Sequence, residues 1–132
     1  MNTVNEFNIG TPLEVTLSPV SRLDLIKYAG ASGDFNPIHT IDEEASKAGL
    51  PGIIAHGMWT IGNLAKLFTP YYQEVFLKEY SVAFKGMVFL GDVITLQASL
   101  ESIKNDKYRF NVLAMNQRNE VVVKGDAILE SF

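Results

Sequence analysis

Cysteine is absent from these 132 residues. Its absence excludes a disulfide scaffold, a thiolate zinc site and a thiol nucleophile. No apolar run approaches the ~20 residues that a membrane-spanning helix needs. The first ten residues carry Glu6 and no long apolar stretch, which is not the pattern of a secretory signal. A basic stripe is missing as well. Lys and Arg are scattered, apart from a loose group at Lys104, Lys107 and Arg109, so neither a nucleic acid nor a membrane is expected as partner. There is no internal repeat and no low-complexity segment. A cytoplasmic location is compatible with all of this.

What is present is an ordered, globular composition. The chain is 47% hydrophobic and 11% aromatic, with a formal net charge of -4. The charge favours solubility and says nothing about fold. The length fits one domain over residues 1–132. Folding at this size should bury roughly two-thirds of the surface the unfolded chain exposes.

The texture changes near Pro70. Before it, Leu13 to Leu17 reads as a strand broken by Ser18-Pro19. Ser21 and Asp24 resemble a capping box opening a helix, with Leu23, Leu25, Ile26, Tyr28 and Ala29 on its apolar side and Gly30 to Gly33 at its end. Asp42 reads as the N-cap of a short second helix that carries Glu43 and Glu44 first and Lys47 last, as the helix dipole favours. Met58 to Phe68 reads as a third helix, apolar around most of its circumference and therefore expected to be largely buried. Beyond Pro70 the period is two. Strands are expected over Leu77 to Phe84, Val93 to Ile103, Lys107 to Met115 and Val121 to Leu129, with tight turns at Asn105-Asp106 and Gln117 to Asn119. An apolar helix in so small a protein needs a sheet wrapped around it, which makes the class α+β. Long edge strands of such a sheet favour a dimer.

Two segments concentrate unusual residues: Gly33-Asp34-Phe35-Asn36-Pro37-Ile38-His39 and Ala55-His56-Gly57-Met58. In the first, Pro37 blocks regular helix and biases Asn36 toward extended geometry, so Asp34 and His39 can meet across a rigid turn. An imidazole and a carboxylate converging on one water make an acid/base pair near neutral pH. Asn36 can tie the loop through its amide, and Phe35 and Ile38 are expected to anchor it in apolar surroundings. The same residues also suit an ordinary Asx turn with a partly buried histidine, and the pattern alone leaves both readings open. In the second segment, Gly57 falls at a helix N-terminus. Free amides there favour negative charge, such as that developing on an oxyanion. Gly57 also suits a plain glycine N-cap, and His56 reads as a packing or helix-end hydrogen-bonding residue, support rather than catalyst.

From Tyr28 through Phe68 the chain resembles the MaoC-like (R)-specific enoyl-thioester hydratases and 3-hydroxyacyl dehydratases. Asp34, Asn36, Pro37 and His39 match the hydratase motif, and His56-Gly57 matches the step into the helix. Weaker similarity continues over Phe84 and Gly91-Asp92 to cover nearly the whole chain. The resemblance implies a hot-dog fold, with the Met58–Phe68 helix inside the sheet, in a version with one such unit. It implies a homodimer or higher homo-oligomer with an acyl tunnel near the subunit interface. Asp34 and His39 would be the catalytic pair, and Gly57, Asn36 and His56 would be substrate-binding. The substrate would be an acyl-CoA or acyl-carrier-protein thioester, with no metal and no redox cofactor required. Trp59, Phe68, Phe84, Phe89, Met58, Met87 and Met115 read as core or tunnel wall, and Lys85 and Lys104 as solvated surface. A thioesterase, and a non-catalytic acyl-binding module or subunit of a heteromeric dehydratase, are the competing functions.

Overall fold

A computed structural model describes residues 3–132. The second half is strand, as the alternation predicts. Strands β1 (Leu13–Thr16), β2 (Val75–Phe84), β3 (Thr95–Lys104), β4 (Lys107–Met115) and β5 (Val121–Ser131) form one antiparallel sheet in the order β1-β3-β4-β5-β2. The β3–β4 hairpin pairs Lys104 with Lys107. Between them Asn105 and Asp106 take φ of 51° and 63°. Two left-handed residues in a two-residue loop match the right-handed twist of the flanking strands, and short polar side chains tolerate that geometry best. Register shifts interrupt the ladders at Leu77/Glu79, Leu100/Ser102 and Ala114/Met115. Each sharpens the local bend, and together they curl the sheet.

The inner face of that curve carries the expected alternation of β3. Ile94, Leu96, Ala98 and Leu100 are buried, while Ser99 and Glu101 face solvent. Phe110, Val112 and Ala114 of β4 and Ala127 and Leu129 of β5 complete the floor of the core. Helix α3 (Gly57–Leu64) and the 3-10 turn that continues it (Ala65–Leu67) lie over this floor, the α+β hot-dog arrangement. Phe7, from the N-terminal segment, closes one end by packing edge-on against Tyr108 and Phe110.

Helix α3 departs from the expectation of an apolar cylinder buried all round. It stops at Leu64, and the chain tightens into 3-10 geometry before Phe68. Thr60, Ile61 and Leu64 are buried, but Met58 is 57% exposed and Gly62 is open to solvent. The sheet covers one side only, and Trp59, Asn63 and Lys66 on another side border a groove against α1 (Arg22–Ser32).

Helix α1 opens with the predicted capping box. The Asp24 amide donates to Ser21 Oγ at 3.1 Å, and the Ser21 amide donates to Asp24 Oδ2 at 3.0 Å. Its apolar side is narrower than expected. Leu25 and Ala29, four apart, are buried, whereas Leu23 and Ile26 are 57% and 49% exposed. Gly30 stays within the helix, and Gly33 ends it at φ 78°, a left-handed cap that glycine adopts without strain. In the second helix, α2 (Asp42–Lys47), Asp42 is the first helical residue, with Ile41 at the cap position. The Asp42 carboxylate faces Arg22 at 3.0 Å, and Arg22 also donates to the Thr40 carbonyl. That pair fastens the start of α1 to the chain just after His39.

Candidate active site

The Gly33–His39 loop folds by short-range polar bonding. Ser32 Oγ accepts the Asp34 amide at 3.1 Å. Asp34 Oδ1 accepts the Asn36 amide at 3.2 Å, and Asn36 Oδ1 accepts the Ile38 amide at 3.3 Å. Two successive Asx turns thus lead into the 3-10 turn Pro37–His39, with Pro37 at its first position, where no N–H is needed. One carboxylate oxygen of Asp34 is spent on the turn. The other, Oδ2, is left facing His39.

His39 is buried, with 7% exposure. Its Nδ1 lies 2.7 Å from the Ile54 carbonyl. A carbonyl can only accept, so Nδ1 carries the proton, and the lone pair of the neutral ring sits on Nε2. Nε2 stands 3.9 Å from Asp34 Oδ2. That is too long for a direct hydrogen bond, and it leaves room for one water touching both atoms. Ile54 is held in turn: its amide donates to the Ile38 carbonyl, and the next amide, of Ala55, donates to Val88.

His56 lies beneath this pair, 1% exposed. Its ring stacks on His39 with centroids 3.9 Å apart and planes 22° apart, and the ring of Tyr28 meets it edge-on at 4.8 Å. His56 Nε2–H donates to the Asp34 carbonyl at 3.1 Å. Burial, the largest cause, pushes the His56 pKa below 6.5. Asp34, His39 and His56 each offer an atom within 4.8 Å of the others. Because the two imidazoles lie face to face, their lone pairs run in near-parallel planes and do not converge on one ion.

Gly57 follows as the first residue of α3, where an amide has no acceptor within the helix. A Cβ here would meet the Phe84 ring, which would have to shift to admit it, and glycine leaves this amide approachable without that shift. The surrounding cavity, about 730 Å³, is lined by Asp34, His39, His56, Gly57, Tyr28 and Phe84, among others.

Four of the five residues singled out by sequence therefore meet at one cavity. Asn36 does not line it, and its side chain caps the turn. Phe35, expected to anchor the loop, is 69% exposed, because the loop is held by its Asx bonds instead. Phe84, Met58 and Met87, read as core or wall, line the cavity with 55%, 57% and 51% of their surface exposed. The sequence pattern does not mark Tyr28 and Ser32 as site residues. Their spacing of four on α1 puts both on one helix face, and that was the signal available.

The sequence model of the MaoC like domain matches residues 4–124. The chain belongs to the MaoC-like family. Over 112 residues it is 33% identical to the fatty acid synthase subunit beta of Aspergillus oryzae, a match that covers 82% of this chain and 6% of that protein. Over 110 residues it is 33% identical to the mitochondrial 3-hydroxyacyl-[acyl-carrier-protein] dehydratase of Arabidopsis thaliana, covering 79% of this chain and 66% of the relative. The MaoC-like chain thus spans a small part of the first relative and just under two-thirds of the second. The unliganded R-hydratase PhaJ1 of Pseudomonas aeruginosa superposes with a TM-score of 0.87 at 26% identity, over 96% of this chain and 83% of that one.

Proposed function

We propose that this MaoC-like chain, over residues 1–132 as a single domain, reversibly hydrates trans-2-enoyl thioesters to (R)-3-hydroxyacyl thioesters. The observation that carries the reading is the 3.9 Å gap between Asp34 Oδ2 and His39 Nε2 in the cavity that Gly57 also lines. A water in that gap is polarised from both sides and attacks C3 of the enoyl group. The Gly57 amide, at the N-terminus of α3, holds the thioester oxygen as negative charge develops on it. A proton then reaches C2 from the same pair, and dehydration runs these steps backward. The (R) configuration rests on the family resemblance. Neither a metal nor a redox cofactor enters this chemistry.

The acyl group is carried on coenzyme A or on an acyl carrier protein, and a cytoplasmic location is part of the same proposal. No helix among the described residues is long and apolar enough to cross a membrane. A homodimer or higher homo-oligomer fits two features. Strand β2 ends the sheet on one side, with Phe76 and Leu77 exposed, and the cavity mouth at Met58, Phe84 and Met87 is apolar and uncovered.

The deciding experiment is hydration of crotonyl-CoA by the purified protein, followed by loss of enoyl-thioester absorbance and, in parallel, by release of free thiol. Loss of absorbance without thiol release supports the hydratase. Thiol release would favour a thioesterase. Inertness toward short and long enoyl thioesters, on CoA and on carrier protein alike, would favour a non-catalytic module or one subunit of a heteromeric dehydratase.

A further inference from the structure

We propose that His56 is the positioning residue of this site: it fixes the Asp34 backbone with its Nε2–H and the plane of His39 with its ring, and so sets the gap between the two reacting side chains. The proposal rests on the Asp34/His39 reading above and assigns a role that the motif alone leaves open.

Three observations carry it. The hydrogen bond from His56 to the Asp34 carbonyl joins residues 22 apart in sequence. It ties the otherwise exposed Asp34 loop to the residue just before Gly57. One side chain therefore links the carboxylate, the imidazole and the helix N-terminus, and a shift in His56 would move all three. Second, the ring has no freedom to turn. It is 1% exposed and held between the face of His39 and the edge of Tyr28. Third, its polar atoms are unsuited to carrying the reaction's proton. Nε2–H is committed to a carbonyl, and the buried Nδ1 has no partner among the described residues. A second proton, on Nδ1, would be a buried N–H with no acceptor, which is costly. Burial holds the pKa below 6.5 in the same direction. The titratable groups that face His56 are Tyr28 from α1, Asp34 from the loop and His39 from the 3-10 turn. His56 thus stays neutral beside His39.

The test separates the donor from the ring. His56→Gln keeps an N–H that can reach the Asp34 carbonyl, and His56→Phe keeps a flat ring against His39 without any donor. With crotonyl-CoA, His56→Phe is expected to lose about 30- to 100-fold in kcat with KM within about 3-fold, the order of loss that small misplacement of reacting groups produces. His56→Gln keeps the donor but loses the ring, and is expected to fall about 5- to 10-fold in kcat, less than His56→Phe, while keeping both limbs of the pH–rate profile. Wild-type kcat in the Phe variant would overturn the proposal. So would a Gln variant as inactive as His39→Ala with one limb missing, because His56 would then carry a proton itself.

A second readout needs no turnover. The chain has two histidines, so a histidine-selective ¹⁵N spectrum contains four ring nitrogens. The expected wild-type result is a His56 ring that is the neutral Nε2–H tautomer at pH 6.5, with the signals of the His39 ring moved by His56→Phe. A protonated His56 ring at pH 6.5, or a neutral Nδ1–H tautomer at His56, would refute the positioning role. If wild type hydrates no enoyl thioester, the hydratase reading fails while this spectrum still decides the role of His56.

Discussion

The Gly33–His39 loop and the Asn105-Asp106 hairpin draw on the same residue types, aspartate and asparagine set between regular elements. In the hairpin both residues take left-handed φ, and both side chains are exposed. The backbone conformation is all that the turn requires of them. In the loop only Gly33 is left-handed, and the Asx oxygens of Asp34 and Asn36 each accept an amide two residues on. That staircase leaves Asp34 Oδ2 unspent above a buried pair of stacked imidazoles. The difference teaches that turn chemistry becomes a site through what lies beneath the turn. Under the hairpin there is only sheet. Under the loop are His56 and the open end of α3.

The sharpest way to break the comparison is to remove the groups that only the loop possesses. His39→Ala and Asp34→Asn are each expected to lower kcat toward crotonyl-CoA by about 10²- to 10⁴-fold, the range for a positioned acid or base, with folding checked by circular dichroism. Activity surviving both changes would return the loop to the same standing as the hairpin. Gly57→Ala is expected to cost roughly 10- to 100-fold in kcat, somewhat less than outright loss of an oxyanion donor. The cause is steric, since the new methyl meets the Phe84 ring. Adding Phe84→Ala should therefore recover part of the loss, and no recovery would place the defect elsewhere.

At the hairpin the expected effect is on stability alone. Asn105→Ala places a less tolerant residue at φ 51° and should cost about 1–2 kcal/mol in urea denaturation, with kcat unchanged.

The smallest effects are those of pH on stability. His56 has a folded pKa below its unfolded 6.5, so its contribution is present above pH 6.5 and is lost as pH falls through the lower folded value. His56→Gln should flatten that part of the acid limb in denaturation measured across pH. Tyr80 shows the opposite sign. Burial raises its phenol to about 12, and its hydroxyl donates to the Ile61 carbonyl at 2.7 Å. Its contribution holds below pH 10 and fades as pH rises toward 12, a loss that Tyr80→Phe should abolish.

Much of the fold was legible because it is written in local rules. Strand β4 spans Lys107–Met115 as the alternation indicates, the Ser21/Asp24 capping box forms, and Asn105-Asp106 makes the hairpin. The failures share a cause. Leu23 and Ile26 of α1 and Met58 of α3 are as apolar as their buried neighbours, and periodicity does not say how wide a covering surface the rest of the chain supplies. Phe35 was expected to anchor the loop by burial, but the Asx bonds hold it and leave the ring outside. The sequence places Asp42 at a cap position, yet its carboxylate answers to Arg22, twenty residues away.

The sequence by itself determined the order of elements, the curled antiparallel sheet with its helix, and the bringing of Asp34, His39, His56 and Gly57 into candidacy, because periodicity, turn chemistry and a dense motif act over short stretches of chain. Only the tertiary structure decided that His39 stacks on His56, that Tyr28 closes the stack, that Asn36 serves the turn rather than the cavity, and that the Phe84 ring crowds Gly57. Those contacts join segments far apart in sequence, and their distances are set by how α1, α3 and the sheet pack against one another.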